Sequence, residues 1–421
     1  MRITPAEGMN EFLPKEVELR DAMTEKIVEV YRSFGFTKIT TPALESIENL
    51  DNSDGGDNLR LIFRVLKRGK KLEDAIEKGE PSEFCDLGLR YDLTLPLARY
   101  WANNRARLPD PFKCIQIDRA YRAERPQKGR SREFVQCDVD VIGSDSLDSE
   151  VELITVTARA LTALGIGAFT VRVNDRRVLR DVIKSCGFSE DCCSSVAVTV
   201  DKLDKIGEDG VRDELVGKGY PAECAEKLIG SLCRNAFTED EIEKRTDPAV
   251  ASDFCRMIRR ARELSRGDYD VVFDPSLVRG QGYYTGAVFE IESTEFGGTV
   301  AGGGRYDGLI GRFIGENVPA VGFSIGFERI YSILSSEGRS ADAKKKAAVF
   351  YGDGEVVEAT KLADTMRAEY DVSLVTRKKK VGKQLAALEE AGFVRAVFLD
   401  RPDEIKQLGQ GQNNNEKEEL K

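Results

Sequence analysis

Residues 277–291 read Leu-Val-Arg-Gly-Gln-Gly-Tyr-Tyr-Thr-Gly-Ala-Val-Phe-Glu-Ile. One arginine, three glycines and a tyrosine pair stand between two apolar, strand-like ends. Such a segment brings a permanent cation, Arg279, and two phenolic hydroxyls, Tyr283 and Tyr284, up to a small ligand while its glycines let the backbone approach. The chain around it, 421 residues long, contains no histidine. Imidazole is thereby removed as general base, phosphate acceptor or metal ligand. Proton transfer is left to carboxylates, lysine, tyrosine, water or the substrate itself.

On either side of this stretch, residues 270–273, 287–293 and 299–301 read as strands, and 322–334 as a closing helix. Upstream, 112–122 and 133–142 alternate as strands. The basic link between them, 123–132, reads as a long hairpin loop. Helices are expected over 14–34 and 147–164, and from Arg177 after a strand at 169–173, with Asn174-Asp175 as its cap. Residues 87–100 form a turn feeding a helix, its entry marked by Asp92, Thr94 and Pro96. From about 180 to 265 the pattern is helical, charged and punctuated by glycine, as in an inserted helical subdomain. Strands scattered among helices without a regular βαβ beat imply an α+β fold with an antiparallel or mixed sheet. Residues 1–335 are read as one domain and 336–346 as a small-residue, lysine-rich linker. Residues 347–421 carry a β-α-β-α-β beat, read as a small parallel-sheet domain ending in a polar tail after Ile405.

Hydrophobic residues at 41% and charged residues at 32% place the chain among globular proteins. No apolar run is long enough to span a bilayer, and the N-terminus lacks the apolar core of a signal peptide. A cytoplasmic protein with no membrane partner is expected. The nine cysteines form no C-x-x-C pair, so reduced thiols are expected rather than a structural zinc site. A net charge of −10 excludes a uniformly basic, DNA-coating surface but leaves room for a local basic groove.

Three further blocks bear on chemistry. Residues 121–134, Tyr-Arg-Ala-Glu-Arg-Pro-Gln-Lys-Gly-Arg-Ser-Arg-Glu-Phe, place Arg122 at a strand end. Its planar fork and permanent charge suit a phosphate. Glu124 shares its face if the strand alternation continues. Gln127, Lys128 and Arg130 give the loop a cationic character suited to an RNA end. Taken alone, the block reads as well as a solvated charged hairpin. Residues 300–308, Val-Ala-Gly-Gly-Gly-Arg-Tyr-Asp-Gly, put a glycine cluster after a strand, which suits close ligand approach or simply a flexible turn. Residues 319–330 carry glycines from strand to helix and place Arg329 in that helix's first turns.

The order and joint presence of these blocks resemble the class II aminoacyl-tRNA synthetases, and specifically the histidyl-tRNA synthetase family, over nearly the whole chain. Residues 41–45 resemble the first class motif, at the dimer interface. Residues 122–134 resemble the second and 322–329 the third. Residues 279–290 and 302–308 resemble the two histidine-specific motifs. Leu89-Arg90-Tyr91-Asp92-Leu93-Thr94, Val173-Asn174-Asp175-Arg176 and Val200-Asp201-Lys202-Leu203-Asp204-Lys205 are further family-like stretches. The resemblance implies a class II catalytic domain with an antiparallel sheet, a helical insertion and an anticodon-binding-like α/β domain. It implies a homodimer that joins L-histidine to tRNA(His) with ATP and Mg²⁺. Arg122 and Arg279 would hold the α-phosphate, Glu124 the adenine, Arg130 the nucleotide and Arg329 the γ-phosphate. Asp92, Thr94 and Gln136 would bind the ammonium, and Tyr283, Tyr284 and Asp140 the imidazole. Arg377 and Lys378, with Gln127 and Lys128, would meet RNA. The alternative is a catalytically silent relative serving as a regulatory subunit or RNA sensor. Gln281-Gly282 departs from the family's usual Leu-Asp, the excursion over 67–83 is longer than expected, and the C-terminal domain is short.

Overall fold

The structure is a computed structural model, describing residues 3–52, 56–125, 131–232, 238–278, 283–339 and 344–408. It divides into two compact units at Arg339/Ser340. The strands of the first unit are β1 (Thr37–Lys38), β2 (Leu44–Ser46), β3 (Arg64–Leu66), β4 (Cys85–Leu89), β5 (Phe112–Tyr121), β6 (Glu133–Ile142), β7 (Phe169–Asp175), β8 (Asp270–Phe273), β9 (Ala287–Ser293), β10 (Gly298–Arg305) and β11 (Ala320–Gly326). Those of the second are β12 (Lys345–Tyr351), β13 (Tyr370–Thr376), β14 (Phe393–Phe398) and β15 (Arg401–Gln407).

Eight strands make the main sheet, in the order β1-β5-β6-β11-β10-β9-β7-β8. Its pairs are antiparallel except the outermost on each side, β1 with β5 and β7 with β8. Alternation along each strand gives the sheet two different faces. Cys137, Val139 and Val141 of β6, Val321, Phe323 and Ile325 of β11, Phe289 and Ile291 of β9, and Val171 and Val173 of β7 point into the largest core. Helices Pro14–Ser33, Asp148–Ala163 and Pro248–Ser265 cover that face. Leu19, Met23, Ile27 and Tyr31 recur every fourth residue along the first of them and are buried, the apolar stripe of an amphipathic helix. Glu16 accepts from the Leu13 backbone N–H at 2.6 Å at its entry. Asp247 caps the last by accepting from the N–H groups of Ala249 and Val250.

The other face is left for polar residues. Its flank is closed by a second core containing Leu97, Phe112, Cys114, Tyr283, Tyr284, Val288, Tyr306 and Ile310, beneath helices Thr94–Asn104 and Asp307–Ile314. Between β7 and β8, after helix Arg176–Ser185, the described residues form a run of α-helices from Cys193–Val200 to Pro248–Ser265. A small antiparallel sheet, β2-β4-β3, stands apart from the main one.

Three expectations need correction. The glycine cluster over 302–304 does not follow a strand but lies within β10, and Gly322–Gly326 belongs to β11, with the helix starting at Phe327. Strands β10 and β11 run so close that a Cβ on Gly303 would lie 2.0 Å from the Gly322 carbonyl oxygen; only glycine fits there. In the second unit the sheet order is β13-β12-β14-β15. The first three strands are parallel, as the βαβ beat requires, but Arg401–Gln407, read as the approach to a tail, pairs antiparallel with β14. Ala348, Phe350, Ala396, Phe398 and Leu385 form this unit's own core.

Candidate active site

The register of the main sheet lines up residues from six strands. Gln116, Asp138, Ser324, Gly302, Glu290 and Arg172 are successive partners across β5, β6, β11, β10, β9 and β7. Two residues along, the next row on the same face is Cys114, Asp140, Gly322, Gly304, Val288 and Asn174. Gly302 thus stands beside Glu290 in the first row, and the Gly322–Gly304 pair beside Asp140 in the second. Over this floor opens a cleft of about 750 Å³, a size that suits a nucleotide-sized ligand.

Thr94, Arg122, Glu124, Gln136, Asp140, Tyr283, Tyr284 and Arg329 all line this one cleft, although they come from five separate stretches of chain. Arg122 follows β5 directly; its Nε donates to the Tyr91 carbonyl at 3.2 Å and its guanidinium lies 5.0 Å from the centre of the Phe134 ring. Strand β5 ends at Tyr121, so strand alternation is not what places Glu124 beside Arg122. Instead the Ala123 N–H bonds Leu61 and the Arg132 guanidinium holds the Glu124 carbonyl at 3.0 Å. Arg329 donates to the Thr299 carbonyl and lies 5.6 Å from the Phe296 ring. Asp92 is not at the cleft surface. It is buried behind Thr94, and its carboxylate accepts from the Leu95 N–H at 3.2 Å at the start of helix Thr94–Asn104. Gln127, Lys128, Arg130, Arg279, Gln281 and Gly282 lie outside the described residues. Arg377 and Lys378 belong to the second unit, where Arg377 pairs with Asp400 at 2.8 Å.

The electrostatics are set by burial. It raises Asp92 to about 6 and Asp140 to about 7 because the charged form loses water. Asp138 is pushed well above the carboxylate range by burial and by Asp140 beside it. The Tyr306 hydroxyl donates to Asp140 Oδ1 at 2.7 Å and fixes the carboxylate's orientation. Gly322 leaves room for it: a Cβ there would lie 2.0 Å from the same oxygen. Gln136 Oε1 and Asp138 Oδ1 are buried with no hydrogen-bond partner among the described residues. Such acceptors cost free energy until a donor arrives, and an ammonium supplies three. Tyr283 and Tyr284 pack with ring centres 4.9 Å apart, and Tyr306 lies 6.1 Å from Tyr283.

Asp138, Tyr306, Ser324 and Glu290 were not singled out from the sequence. Period two along β6 could have found Asp138, which lies between Gln136 and Asp140. Asp201 and Lys205, from the family-like stretch of the helical insertion, also line the cleft. Lys205, Arg122 and Arg329 are its cations among the described residues. No group of three or more Cys, Asp or Glu among those residues is arranged to hold a metal ion.

Polar and acidic side chains, tyrosines and cations thus line one cleft. The family model for histidyl-tRNA synthetase matches residues 8–330. The chain belongs to the histidyl-tRNA synthetase family. The histidine--tRNA ligase of Leifsonia xyli subsp. xyli is 42% identical over 94% of this chain and 95% of its own. A crystal structure of histidyl-tRNA synthetase from Nostoc sp. PCC 7120 superposes with a TM-score of 0.78 at 30% identity, covering 94% of this chain and 91% of that one. An ATP phosphoribosyltransferase regulatory subunit/histidyl-tRNA synthetase from Bacillus halodurans C also gives a TM-score of 0.78, at 21% identity and with 94% and 98% covered. That second likeness is one of fold alone, so the family's activity is argued from the residues of the cleft.

Proposed function

We propose that the chain activates L-histidine with ATP and transfers it to the 3′ end of tRNA(His). The observation that carries this reading is the pairing, in one cleft, of an acidic, tyrosine-walled recess around Asp140 with the cations Arg122 and Arg329. In the first step the histidine carboxylate oxygen attacks the α-phosphorus, and pyrophosphate leaves with the electron pair of the broken P–O bond. No proton moves, so the lack of imidazole in the chain costs nothing. Catalysis is alignment and charge stabilisation. Arg122, with Arg279, would hold the α-phosphate; Glu124 would accept from the adenine amino group; Arg130 would contact the nucleotide; and Arg329 would meet the γ-phosphate. Mg²⁺ would arrive on the phosphates and neutralise their charge, as an ion that keeps few protein ligands does.

Gln136 and Asp138 offer unmet acceptors to the ammonium, with Thr94 beside them and Asp92 behind. Its arrival favours ionised Asp92 and Asp138. Asp140, oriented by Tyr306, would accept from the imidazole N–H, and the Tyr283 and Tyr284 walls would enclose the ring. An amino acid lacking the ring's donor and acceptor leaves buried polar groups unpaired, giving roughly 10⁴-fold rejection. In the second step the terminal ribose hydroxyl attacks the adenylate carbonyl, AMP leaves, and the proton passes to the adenylate's own phosphate oxygen.

Gln127 and Lys128 would meet the tRNA end, and Arg377 and Lys378 its backbone from an anticodon-binding-like domain beginning near residue 347. The Arg377–Asp400 pair would then have to open or be shared. Homodimer formation is supported by Leu44, Leu66 and Leu87, exposed by 45%, 55% and 37% on the separate three-stranded sheet, an apolar surface of the kind that interfaces cover. The reading places the protein in the cytoplasm with no DNA or membrane partner; among the described residues no helix is long and apolar enough to cross a membrane. Histidine-dependent exchange of pyrophosphate into ATP tests the first step, and its absence would favour the silent regulatory relative.

A further inference from the structure

We propose that Asn174 and Arg176 are positioning residues for histidine recognition, holding the two ends of the tyrosine-bearing segment from one strand end. This rests on the reading above in which Tyr283 and Tyr284 enclose the ring. Alternation along β7 sends Val171 and Val173 to the core and leaves Arg172 and Asn174 on the cleft face. Asn174 stands in the same row as Asp140, across β9, β10 and β11. Its side chain is 1% exposed. Nδ2 donates to the Pro275 carbonyl at 3.2 Å and to the Leu277 carbonyl at 2.9 Å, while Oδ1 accepts from the Asp175 N–H at 2.8 Å. Both amide hydrogens and the oxygen are therefore used.

Two residues on, the Arg176 backbone N–H donates to the Gly286 carbonyl at 3.1 Å, and its Nη1 donates to the Tyr284 carbonyl at 2.9 Å. The chain is thus fixed before the tyrosines at Pro275 and Leu277, and again at Tyr284 itself and at Gly286. Neither Asn174 nor Arg176 lines the cleft; they act on it through others. The Tyr284 ring lies over Gly304, where a Cβ would come within 2.9 Å of Tyr284 Cδ1. Tyr284 packs on Tyr283, Tyr283 on Tyr306, and Tyr306 bonds Asp140. A shift of the Tyr284 carbonyl is passed along this chain of contacts to the imidazole side of the cleft. Arg122, Glu124 and Arg329, on the nucleotide side, are anchored elsewhere.

The test compares the full-length parent with N174A, R176M and R176K in histidine-dependent pyrophosphate exchange, with each KM measured separately. N174A and R176M are expected to raise the KM for histidine about tenfold, as loss of a bond to a buried carbonyl implies. The KM for ATP should stay within about twofold of the parent in R176M and rise by less than the KM for histidine in N174A, whose bonds to Pro275 and Leu277 lie next to Arg279. R176K should recover part of the loss, because an ammonium still donates one bond to the Tyr284 carbonyl. A merely structural role would lower thermal stability and active fraction while leaving both KM values unchanged. That result, or an equal rise in both, would overturn the proposal. Should N174A fail to fold, the R176M and R176K pair decides. A parent chain without any histidine-dependent exchange would overturn the functional reading first, and the positioning role with it.

Discussion

Asp92 is the residue whose environment makes the most specific demand. Its carboxyl group is raised to about 6 in the folded chain, against about 3.9 when unfolded. Between pH 4 and 6 the folded state holds a proton that the unfolded state has released. This group's contribution to stability is therefore full below about pH 4 and is lost as pH rises through about 6, by about 3 kcal/mol. Asp92→Asn should gain on the parent by that amount between pH 4 and 7 in urea unfolding, whatever its offset from the lost helix-entry bond. A pH-independent difference would mean that Asp92 is ionised throughout. Asp140 carries the second demand. Asp140→Asn should lower kcat/KM for histidine about 10³-fold with the KM for ATP nearly unchanged, checked by exchange kinetics. Gln136 and Asp140 both line the cleft and were named from the family resemblance, on a strand read from its alternation. Asp138, between them, was not, since an acid in a strand usually marks a solvated face. Here the face is a cleft floor, and burial rather than residue type reveals the site.

At the scale of elements, the paired strands β5 and β6 were legible from alternation, and the helix over Pro14–Ser33 from its four-residue stripe. The glycine-rich strands were not. Glycine is depleted in strands because it packs nothing, so residues 302–304 read as following a strand and 322–326 as the start of a helix. In β10 and β11 that lack of side chain is the requirement, because neighbouring backbone and the Asp140–Tyr306 pair occupy the space. Gly303→Ala should destabilise the chain by about 2–3 kcal/mol, measured by thermal or urea unfolding. Gly308→Ala, in helix Asp307–Ile314 with nothing within 4 Å of its Cβ, should be neutral or stabilising by up to about 1 kcal/mol. Equal effects at the two positions would contradict the close approach of β10 and β11.

At the scale of the whole molecule, fold class followed from the mixture of helices and strands without a regular beat. Strand order did not, because pairings such as β6 with β11 join segments far apart in sequence and leave no local signature. The same limit hid β15: a charged strand on a sheet edge looks like a tail. The second unit has its own core, so a chain ending at Arg339 is expected to retain most histidine-dependent exchange while losing about 10²-fold or more in tRNA charging, since RNA affinity is built from several backbone contacts. An equal loss in both assays would contradict separate roles for the two units. The central claim is that one cleft, built on two rows of a single sheet, selects histidine and joins it to ATP. The measurement that bears on it most directly is pyrophosphate exchange into ATP by the full chain, run with each of the twenty amino acids in turn. The account predicts exchange with histidine and none above background with the others. Exchange with no amino acid, or with a different one, would contradict it.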